Sequence, residues 1–289
     1  MINIFLITLT VAAWLGSSRG PREAYDLAQP DRVMVLPDTL HEVSGISVTD
    51  SLIACVQDEN GIIFMYDPVQ QKIRRQVTFG PDGDYEDIAW ANGAYYVLRS
   101  DGLIYKIRET GGRPEVSSYF TGIPAKNSEG LCYDARKNAL LIAVKGKSGK
   151  GKMFRDQREV YAFDLKTGRL QQKPVLVMNT EQMKEFAAEK NISLPVKFKK
   201  KGKVSETVLK LTSSAIAIHP ITGEIYLLSS TDRLLLVFES DYTIKDMIKL
   251  DPYRFNKAEG LDFSSKGELF ISNEGQHREP TILSFALKK

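Results

Sequence analysis

Short apolar runs alternate with polar turns along most of this chain, and the runs have the length of strands. After EGLDFSSKG comes ELFIS, after SAIAIHPITG comes EIYLLSS, and after SGISVTD comes SLIACVQ. Runs of roughly four to eight residues bounded by Asp, Gly, Asn and Ser are typical of antiparallel strands joined by short turns. The pattern therefore predicts an all-β protein.

One short motif recurs five times at the start of these strand groups, as SGIS, EDIA, EGLC, SAIA and EGLD. Its first residues, which we call the motif residues, are Ser44, Glu86, Glu129, Ser214 and Glu259. Most intervals between them are about 42 to 45 residues, and such a period with several short strands is typical of a β-propeller blade. We predict five blades, with six as the alternative because one interval is about 85 residues.

The long interval is interpreted as one blade followed by an insertion at about 179–212. Within it, NTEQMKEFAAEKN predicts a short amphipathic helix with Thr180 as its N-cap and with Met183, Phe186 and Ala187 on one side. The sequence after this helix is polar and basic and lacks the motif. A short helical and basic insertion is therefore expected between two blades.

The two ends of the chain are expected to meet. Residues 31–289 form the predicted propeller domain, and its last blade shows only three strands of its own. The sequence DRVMVLP (31–37) is a strand without neighbours in sequence, and pairing it with the last blade would close the ring and remove an exposed edge. Residues 19–30 are interpreted as a linker.

The first 18 residues, MINIFLITLTVAAWLGSS, have a different pattern from the rest of the chain. An apolar run that ends in small residues is typical of a secretory signal peptide, although it contains no Lys or Arg at its start. The run is short for a membrane span, which needs about 20 residues, so an uncleaved membrane anchor is the alternative. The sequence predicts an exported protein that is periplasmic or associated with the cell membrane.

The composition is that of an ordinary globular protein. The chain has 289 residues, of which 43% are hydrophobic, and its net charge of +3 is too small to predict nucleic acid as a partner. The basic run KFKKKGK (197–203) is interpreted as a solvated face, and GKSGKGKM (146–153) as a flexible loop, because a phosphate-binding loop needs Ser or Thr where Met153 stands. Cys55 and Cys132 lie in apolar runs and are predicted to be buried free thiols.

The repeated motif, the sequence FISNEG near the end and the exported N-terminus together resemble the SdiA-regulated (YjiK-like) family of bacterial proteins. The resemblance covers roughly residues 30–289. It implies a five-bladed propeller that is distantly similar to NHL-repeat proteins, and it implies a bound calcium ion. It implies no reaction, because the family is named after the regulation of one member.

The acidic motif residues predict a cation site on the propeller axis. The first strand of each blade lines the central channel, so Glu86, Glu129 and Glu259 are expected to point inward from three blades. Converging carboxylates repel one another unless a cation lies among them. Oxygen ligands without clustered His or Cys suit Ca²⁺, which accepts about six to eight of them. The alternative is that the glutamates pair with lysines such as Lys145.

Other residues near the channel complete the predicted site. Asn273 and Glu274 end the second strand of the last blade and are expected to add metal ligands. The other residues expected to line the channel are Ser44, Ser214, Asp58 and Asp101.

The histidines give little support for catalysis. His219 is interpreted as a turn residue, while His41 and His277 are the candidates for proton transfer. The sequence has no H-E-x-x-H helix, and its one G-x-S-x-G match, GSSRG (16–20), lies at the end of the predicted signal segment and not between a strand and a helix.

Two functions are consistent with these features. The first is a calcium-binding propeller that acts as a binding or scaffold module at the cell envelope and recognises a small molecule or an envelope component. The second is a calcium-dependent hydrolase of the lactonase, phosphoesterase or phytase type, with the metal at the central channel. A free side on the metal would distinguish the enzyme from the module.

Overall fold

The protein is a five-bladed β-propeller. Its structure, a computed structural model, describes residues 24–49, 51–110, 112–125, 127–147, 149, 154–199 and 203–288. Five antiparallel sheets surround a central axis, and the first strand of each sheet packs against the first strands of both neighbouring sheets. The prediction of five blades is confirmed.

Each blade is a sheet whose first three strands follow one another in chain order, from the axis outward. Blade 1 contains β2 (Val43–Val48), β3 (Ile53–Gln57), β4 (Ile62–Asp67) and β5 (Lys72–Thr78). Blade 2 contains β6 (Tyr85–Ala91), β7 (Ala94–Arg99), β8 (Leu103–Thr110) and β9 (Arg113–Phe120). Blade 3 contains β10 (Ser128–Asp134), β11 (Ala139–Val144), β12 (Gln157–Asp164), β13 (Arg169–Leu170) and β14 (Leu176–Asn179).

The last two blades complete the ring. Blade 4 contains β17 (Ala215–Ile218), β18 (Ile225–Ser229), β19 (Leu234–Phe238) and β20 (Ile244–Lys249). Blade 5 contains β21 (Ala258–Phe263), β22 (Leu269–Asn273) and β23 (Thr281–Phe285). The N-terminal strand β1 (Arg32–Val35) pairs antiparallel with β23 and supplies the fourth strand of this blade, which confirms the predicted closure.

The insertion between blades 3 and 4 begins with a helix, α1 (Thr180–Glu189), and continues with the hairpin β15 (Val196–Lys199) and β16 (Lys203–Thr207). The predicted N-cap is wrong by one residue, because the Asn179 side chain accepts hydrogen bonds from the amides of Glu181 and Gln182. Asn179 also ends β14, which pairs with β12, so the helix starts directly from the outer edge of blade 3. Met183 and Ala187 are buried on the predicted apolar side.

The hydrophobic core is divided into five clusters, one at each junction between neighbouring blades. Each cluster contains the aliphatic residue that comes two positions after a motif residue. These residues are Ile46, Ile88, Leu131, Ile216 and Leu261, all at most 2% exposed. The repeated Ile or Leu of the motif therefore joins adjacent blades, which accounts for its recurrence.

Tyr25 lies in the segment that was expected to be a linker, yet it is buried between blades 4 and 5. Its hydroxyl donates to the carbonyl of Gly267 at 2.6 Å, and its ring lies 6.2 Å from that of Phe263. The chain is thus fixed to the propeller before β1 begins.

Candidate functional site

The motif residues of four blades sit at irregularities in the inner strands. Pairing between the first two strands shifts at Ser44, Glu86, Glu129 and Glu259, so each of these is the extra residue of a β-bulge. A bulge takes a residue out of the regular alternation of the strand and redirects its side chain. This geometry explains how a glutamate can turn to the axis although it has the same parity as the core residues that follow it.

The residue after the bulge allows the inner strands to approach closely. A Cβ atom on Gly45 would lie 2.5 Å from the Cα of Asp87, and one on Gly130 would lie 2.9 Å from the backbone nitrogen of Ile216. These distances are too short for any side chain, as expected for strands that converge on an axis. Asp87 itself, which follows Glu86, replaces the glycine in blade 2 with a buried carboxylate.

One end of the channel is a cavity of about 230 Å³ that we call the acidic mouth. It contains seven carboxyl groups and two lysines, with three uncharged residues between them. Its lining consists of Glu42, Ser44, Asp58, Asp84, Glu86, Asn127, Glu129, Lys145, Ser214, Lys257, Glu259 and Glu274. The structure therefore brings all five motif residues together.

The position of a residue relative to the end of the second strand decides whether it reaches the acidic mouth. Asp58, Lys145 and Glu274 each follow the last residue of a second strand, and all three face the cavity. Asn273 comes one residue earlier, is fully buried outside the lining, and donates to the Thr281 hydroxyl. Asp101 lies one residue beyond the comparable position, Ser100.

Asp101 and the two histidines lie outside the acidic mouth. Asp101 pairs with Arg99 at 2.7 Å in an exposed turn, and its hydrogen bond to that guanidinium lowers the pKa of the carboxyl. His41 contacts the carbonyl of Gln276 at 3.2 Å, and His277 is exposed. The side chain of His219 accepts from the amides of Ile221 and Thr222, which confirms it as a turn residue.

Two lysines occupy the acidic mouth. Lys145 lies 3.0 Å from Glu129, and Lys257 contacts both Glu259, at 3.5 Å, and Glu274. The pairing with Lys145 is the alternative that the sequence left open. Among the described residues no lysine forms an ion pair with Glu86, which instead shares a hydrogen bond with Glu129, and that bond requires a proton on one of the two carboxyls.

Burial and mutual repulsion raise the pKa values of these acids. Burial, followed by the charges of Glu129 and Asp84, raises the pKa of Glu86 to about 9. Burial raises the pKa of Glu259 to about 7 although Lys257 opposes the shift. Burial alone would lower the pKa of Lys145, but the charge of Glu129 raises it. Glu86 therefore holds a proton at neutral pH, and Lys145 stays charged.

The two motif serines serve the fold. The Ser44 hydroxyl donates to the carbonyl of Tyr85 at 2.8 Å, and the Ser214 hydroxyl donates to the carbonyl of Ala258 at 3.0 Å. Each bond joins one blade to the next. The motif position therefore carries a carboxyl group in blades 2, 3 and 5. In blades 1 and 4 it carries a hydroxyl that bonds to the next blade.

The opposite end of the channel is a cavity of about 240 Å³ that we call the apolar mouth. All five inner strands contribute to it at two and at four residues after the motif residue. The first set comprises the aliphatic residues Ile46, Ile88, Leu131, Ile216 and Leu261, and the second comprises Val48, Trp90, Tyr133, Ile218 and Phe263. Ser47, Ala89, Cys132, Asp262 and Ser265 complete the lining.

Two carboxyl groups, the buried Asp87 and the half-buried Asp262, join blades along the channel. Asp87 accepts from the Leu131 amide of blade 3 at 2.7 Å and from the Ile88 amide at 2.8 Å. Asp262 accepts from the Val48 amide of blade 1 at 2.7 Å. Burial raises the pKa of Asp87 well above its usual value and that of Asp262 to about 7. Both carboxylates hold neighbouring inner strands together.

Several lining residues were missed by the sequence, although a positional signal for them exists. Glu42, Asp84, Asn127 and Lys257 all line the acidic mouth, and each comes two residues before a motif residue. The fifth such residue, Thr212, is not part of the lining. Extending the alignment of the motifs by two residues toward the N-terminus would have identified these four polar lining residues.

The remaining predictions concern cysteines, basic runs and the N-terminus. Cys55 and Cys132 are buried and free, which confirms the absence of a disulfide between them. The loop at 146–153 and the run at 197–203 lie partly outside the described residues, and residues 1–18 lie entirely outside them. Within the described part of the chain, no helix combines the length and apolarity needed to cross a membrane.

Solved structures with the same fold have different roles. A glutaminyl cyclase of Myxococcus xanthus is similar over 90% of this chain and 96% of its own, with 12% identity and a TM-score of 0.57. The structure of U3-55K is similar over 90% of this chain and 100% of its own, with 10% identity and a TM-score of 0.52. A structure of the mitotic checkpoint complex matches over the full length of both chains, with 10% identity and a TM-score of 0.50. These likenesses show the propeller fold alone.

Sequence comparison adds no family. No protein-family model matches the chain, and no curated protein is similar to it. Since one propeller scaffold supports unrelated functions, the two channel mouths are the basis on which function has to be argued.

Proposed function

We propose that this protein is an exported propeller of the SdiA-regulated type that acts as a binding module at the cell envelope, with its ligand site at the acidic mouth. The ligand is a cation, and Ca²⁺ is the cation that the oxygen-rich lining suits best. One observation carries the proposal: among the residues that the structure describes, seven carboxyl groups converge on one cavity with two lysines. The same excess of negative charge opposes nucleic acid as a partner.

The donor chemistry of the acidic mouth fits calcium. Glu86, Glu129 and Glu259 would hold the ion, and Glu274 offers further oxygens. Among the described residues, no group of three or more His, Cys, Asp or Glu side chains is already arranged as a metal site. Calcium binding would therefore replace lysine contacts at Glu129 or Glu259 and displace the proton between Glu86 and Glu129.

Calcium titration at two pH values tests the proposal. Because Glu86 has a pKa of about 9, calcium must compete with a proton, and affinity should be higher at pH 8.5 than at pH 6.5. At 100 times its dissociation constant, the ion should stabilise the folded protein by about 2.7 kcal/mol, measured as a melting shift that EDTA reverses. Glu129→Gln should abolish the shift.

Asp101→Asn is the matched control, because Asp101 is an acidic residue outside the acidic mouth. This variant should retain the full response to calcium. Absence of calcium in the purified protein, together with no melting shift and no heat of binding at either pH, would refute the calcium site.

A calcium-dependent hydrolase is the second candidate. In such an enzyme Glu129, Glu259 and Glu274 would hold the ion, and Glu86, whose pKa burial and neighbouring carboxylates raise to about 9, would keep its proton and act as the general acid. Lactone, ester and phosphoester substrates should be screened with calcium present. Turnover that is lost in both Glu86→Gln and Glu129→Gln would favour the enzyme, whereas calcium binding without turnover favours the binding module.

Export rests on residues 1–18 and needs its own test. N-terminal sequencing of the protein from a bacterial periplasmic extract should find a chain that begins after Ser17 or Ser18. An intact N-terminus in the membrane fraction would favour the anchor, and an intact N-terminus in the cytoplasm would exclude export.

A further inference from the structure

The apolar mouth is a second cavity with its own chemistry, and we propose that it binds a small organic ammonium ion with an apolar body. The acidic mouth plays no part in this proposal. The two cavities share the inner strands, but their linings have no residue in common. A mutation can therefore abolish binding at one site and leave binding at the other unchanged.

Three aromatic side chains line the apolar mouth, and the structure holds each in place. The ring of Trp90 lies edge-on to Tyr95 with a centroid distance of 4.6 Å. The Tyr133 hydroxyl donates to Asn138 at 3.0 Å. Phe263 packs against the rings of His219 and Tyr226 at 4.9 and 5.0 Å. Fixed aromatic faces bind cations through their quadrupoles and lose little entropy when a ligand arrives.

The aliphatic part of the lining favours an apolar body on the ligand. The five Ile and Leu side chains of the lining are at most 2% exposed, so the apolar surface open to a ligand comes mainly from Val48, Trp90 and Ile218. The cavity of about 240 Å³ has room for a single ring with a short chain, since an apolar cavity of roughly 150 Å³ already accepts benzene. Burial of such a ring contributes affinity in proportion to its apolar area.

A single carboxyl group, that of Asp262, gives the apolar mouth a preference for a positively charged ligand. Asp262 is the one acidic residue in the lining, and none of the lining residues that the structure describes is basic. The Val48 amide, which donates to Asp262 at 2.7 Å, orients the carboxylate but brings no positive charge. Burial raises the pKa of Asp262 to about 7, so an ammonium ion would supply the charge that stabilises its ionised form.

Together these features identify the chemical class of the ligand. An apolar wall alone would accept any small hydrocarbon, and a carboxylate alone would accept any cation. Aromatic faces, an aliphatic wall and one carboxylate with no basic partner in the cavity favour an alkylammonium or arylalkylammonium ion. The cavity offers a metal ion one carboxylate, Asp262, which is far from the roughly six to eight oxygen ligands that Ca²⁺ takes.

Calorimetry with 2-phenylethylammonium tests the proposal, with 2-phenylethanol as the neutral match and 3-phenylpropanoate as the anionic match. The ammonium ion should bind with a stoichiometry of one and at least tenfold more tightly than the alcohol, and the carboxylate should not bind. Fluorescence of Trp90 in a Trp14→Phe background, which leaves Trp90 as the single tryptophan, should change with the same dissociation constant. Absence of saturable ammonium binding, or equal affinity for the alcohol, would overturn the proposal.

Three variants locate the binding site. Asp262→Asn should weaken ammonium binding at least tenfold and change alcohol binding less than twofold. Trp90→Ala, at a side chain that is 46% exposed, should weaken ammonium binding about fivefold or more without affecting folding. Glu129→Gln should retain ammonium binding while it loses the response to calcium. If Asp262→Asn does not fold, Trp90→Ala decides: unchanged affinity in that variant rejects the site.

The pattern across the variants also separates this proposal from the calcium site. Ammonium binding that disappears in Glu129→Gln but persists in Asp262→Asn would place the ligand at the acidic mouth and refute the inference. Calcium binding that fails while ammonium binding persists would refute only the proposed function.

Discussion

The two mouths of the channel are built from the same five inner strands, yet one is acidic and the other is apolar. Among the described residues, the acidic mouth has seven carboxyl groups and two lysines, whereas the apolar mouth has one carboxyl group, Asp262, and no basic residue. The change occurs within about four residues of each strand, on the two sides of the motif residue. Along each strand, the polar lining positions come before or at the motif residue, and the apolar positions come two and four residues after it.

The difference shows that a local irregularity of the backbone can assign opposite chemistry to two ends of one strand. The bulge redirects Glu86, Glu129 and Glu259 to the axis, and the residues after it resume the alternation that packs one blade against the next. Core packing and ligand chemistry are thus specified by neighbouring residues of the same short motif. Each mouth can accordingly be changed by mutation without changing the lining of the other.

Asp87 provides the most severe test, because it lies at the bulge and connects blades 2 and 3. Asp87→Ala removes the acceptor for the buried amides of Leu131 and Ile88 and leaves a small cavity. The free energy of unfolding in urea should fall by about 2 to 4 kcal/mol. Asp101→Ala, at an exposed residue paired with Arg99, should cost less than about 1 kcal/mol. Similar losses in the two variants would contradict a linking role for Asp87.

Lys145 tests whether the acidic mouth depends on its internal cation. Lys145→Met leaves Glu129 without its lysine partner, and the side chain of Glu129 is only 5% exposed. In EDTA at pH 8, the variant should be less stable by about 1 to 2 kcal/mol, a range reduced from that of fully buried pairs because Lys145 is 41% exposed. Calcium should restore more stability to the variant than to the wild type.

Lys137→Met is the control for Lys145→Met. Lys137 is an exposed lysine that contacts the ring and hydroxyl of Tyr242 and lies outside the channel. Its loss should change neither the stability in EDTA nor the response to calcium. If the two lysine variants behave alike, the internal cation has no special role in the acidic mouth.

Glu86 in the acidic mouth and Asp262 in the apolar mouth have different raised pKa values, so each should affect stability in its own pH range. Burial raises the pKa of Glu86 to about 9, whereas an unfolded Glu ionises near 4.5. Between these values the folded state binds more protons than the unfolded state, so stability in EDTA must fall as pH rises from about 5 to 9. Glu86→Gln should flatten the part of this decline between pH 7 and 9.

Asp262→Asn serves as the comparison at the apolar mouth. Since the pKa of Asp262 is raised only to about 7, this substitution should flatten the lower part of the decline and leave the slope above pH 8 unchanged. Thermal melts across the pH range measure both effects. A stability that rises with pH in EDTA would contradict the burial of protonated acids in the channel.

The architecture could be predicted from the sequence because each of its determinants is local and repeated. The motif at Ser44, Glu86, Glu129, Ser214 and Glu259 marks every blade, and the unpaired strand at the start matches the missing strand at the end. The glutamates could be expected to meet because inner strands converge in any propeller. Because the motif recurs in every blade, neither the blade count nor the meeting of the glutamates depends on the exact residue at which a strand begins or ends.

The remainder of the site depended on register, which the sequence did not specify. Asn273 and Asp101 were each displaced by one residue from the positions that face the channel, and one residue is enough to reverse the direction of a strand side chain. The same error placed the helix N-cap at Thr180 instead of Asn179. Bulges are set by packing between blades, so the apolar mouth and the contact of Lys257 with Glu259 became visible only in the structure.

The two cysteines provide the mildest test of the difference between a channel lining and a blade core. Cys132 lines the apolar mouth at 7% exposure, whereas Cys55 is fully buried inside blade 1. Burial raises the pKa of both thiols, so a small alkylating reagent should modify the native protein slowly at either site. Cys132 should nevertheless react about fivefold faster than Cys55, because the apolar cavity admits the reagent. Saturating 2-phenylethylammonium should slow Cys132 and leave Cys55 unchanged, as measured by mass spectrometry of the peptides. Equal rates for the two cysteines would mean that the apolar mouth is closed to small molecules, and a ligand could then enter only through a conformational opening.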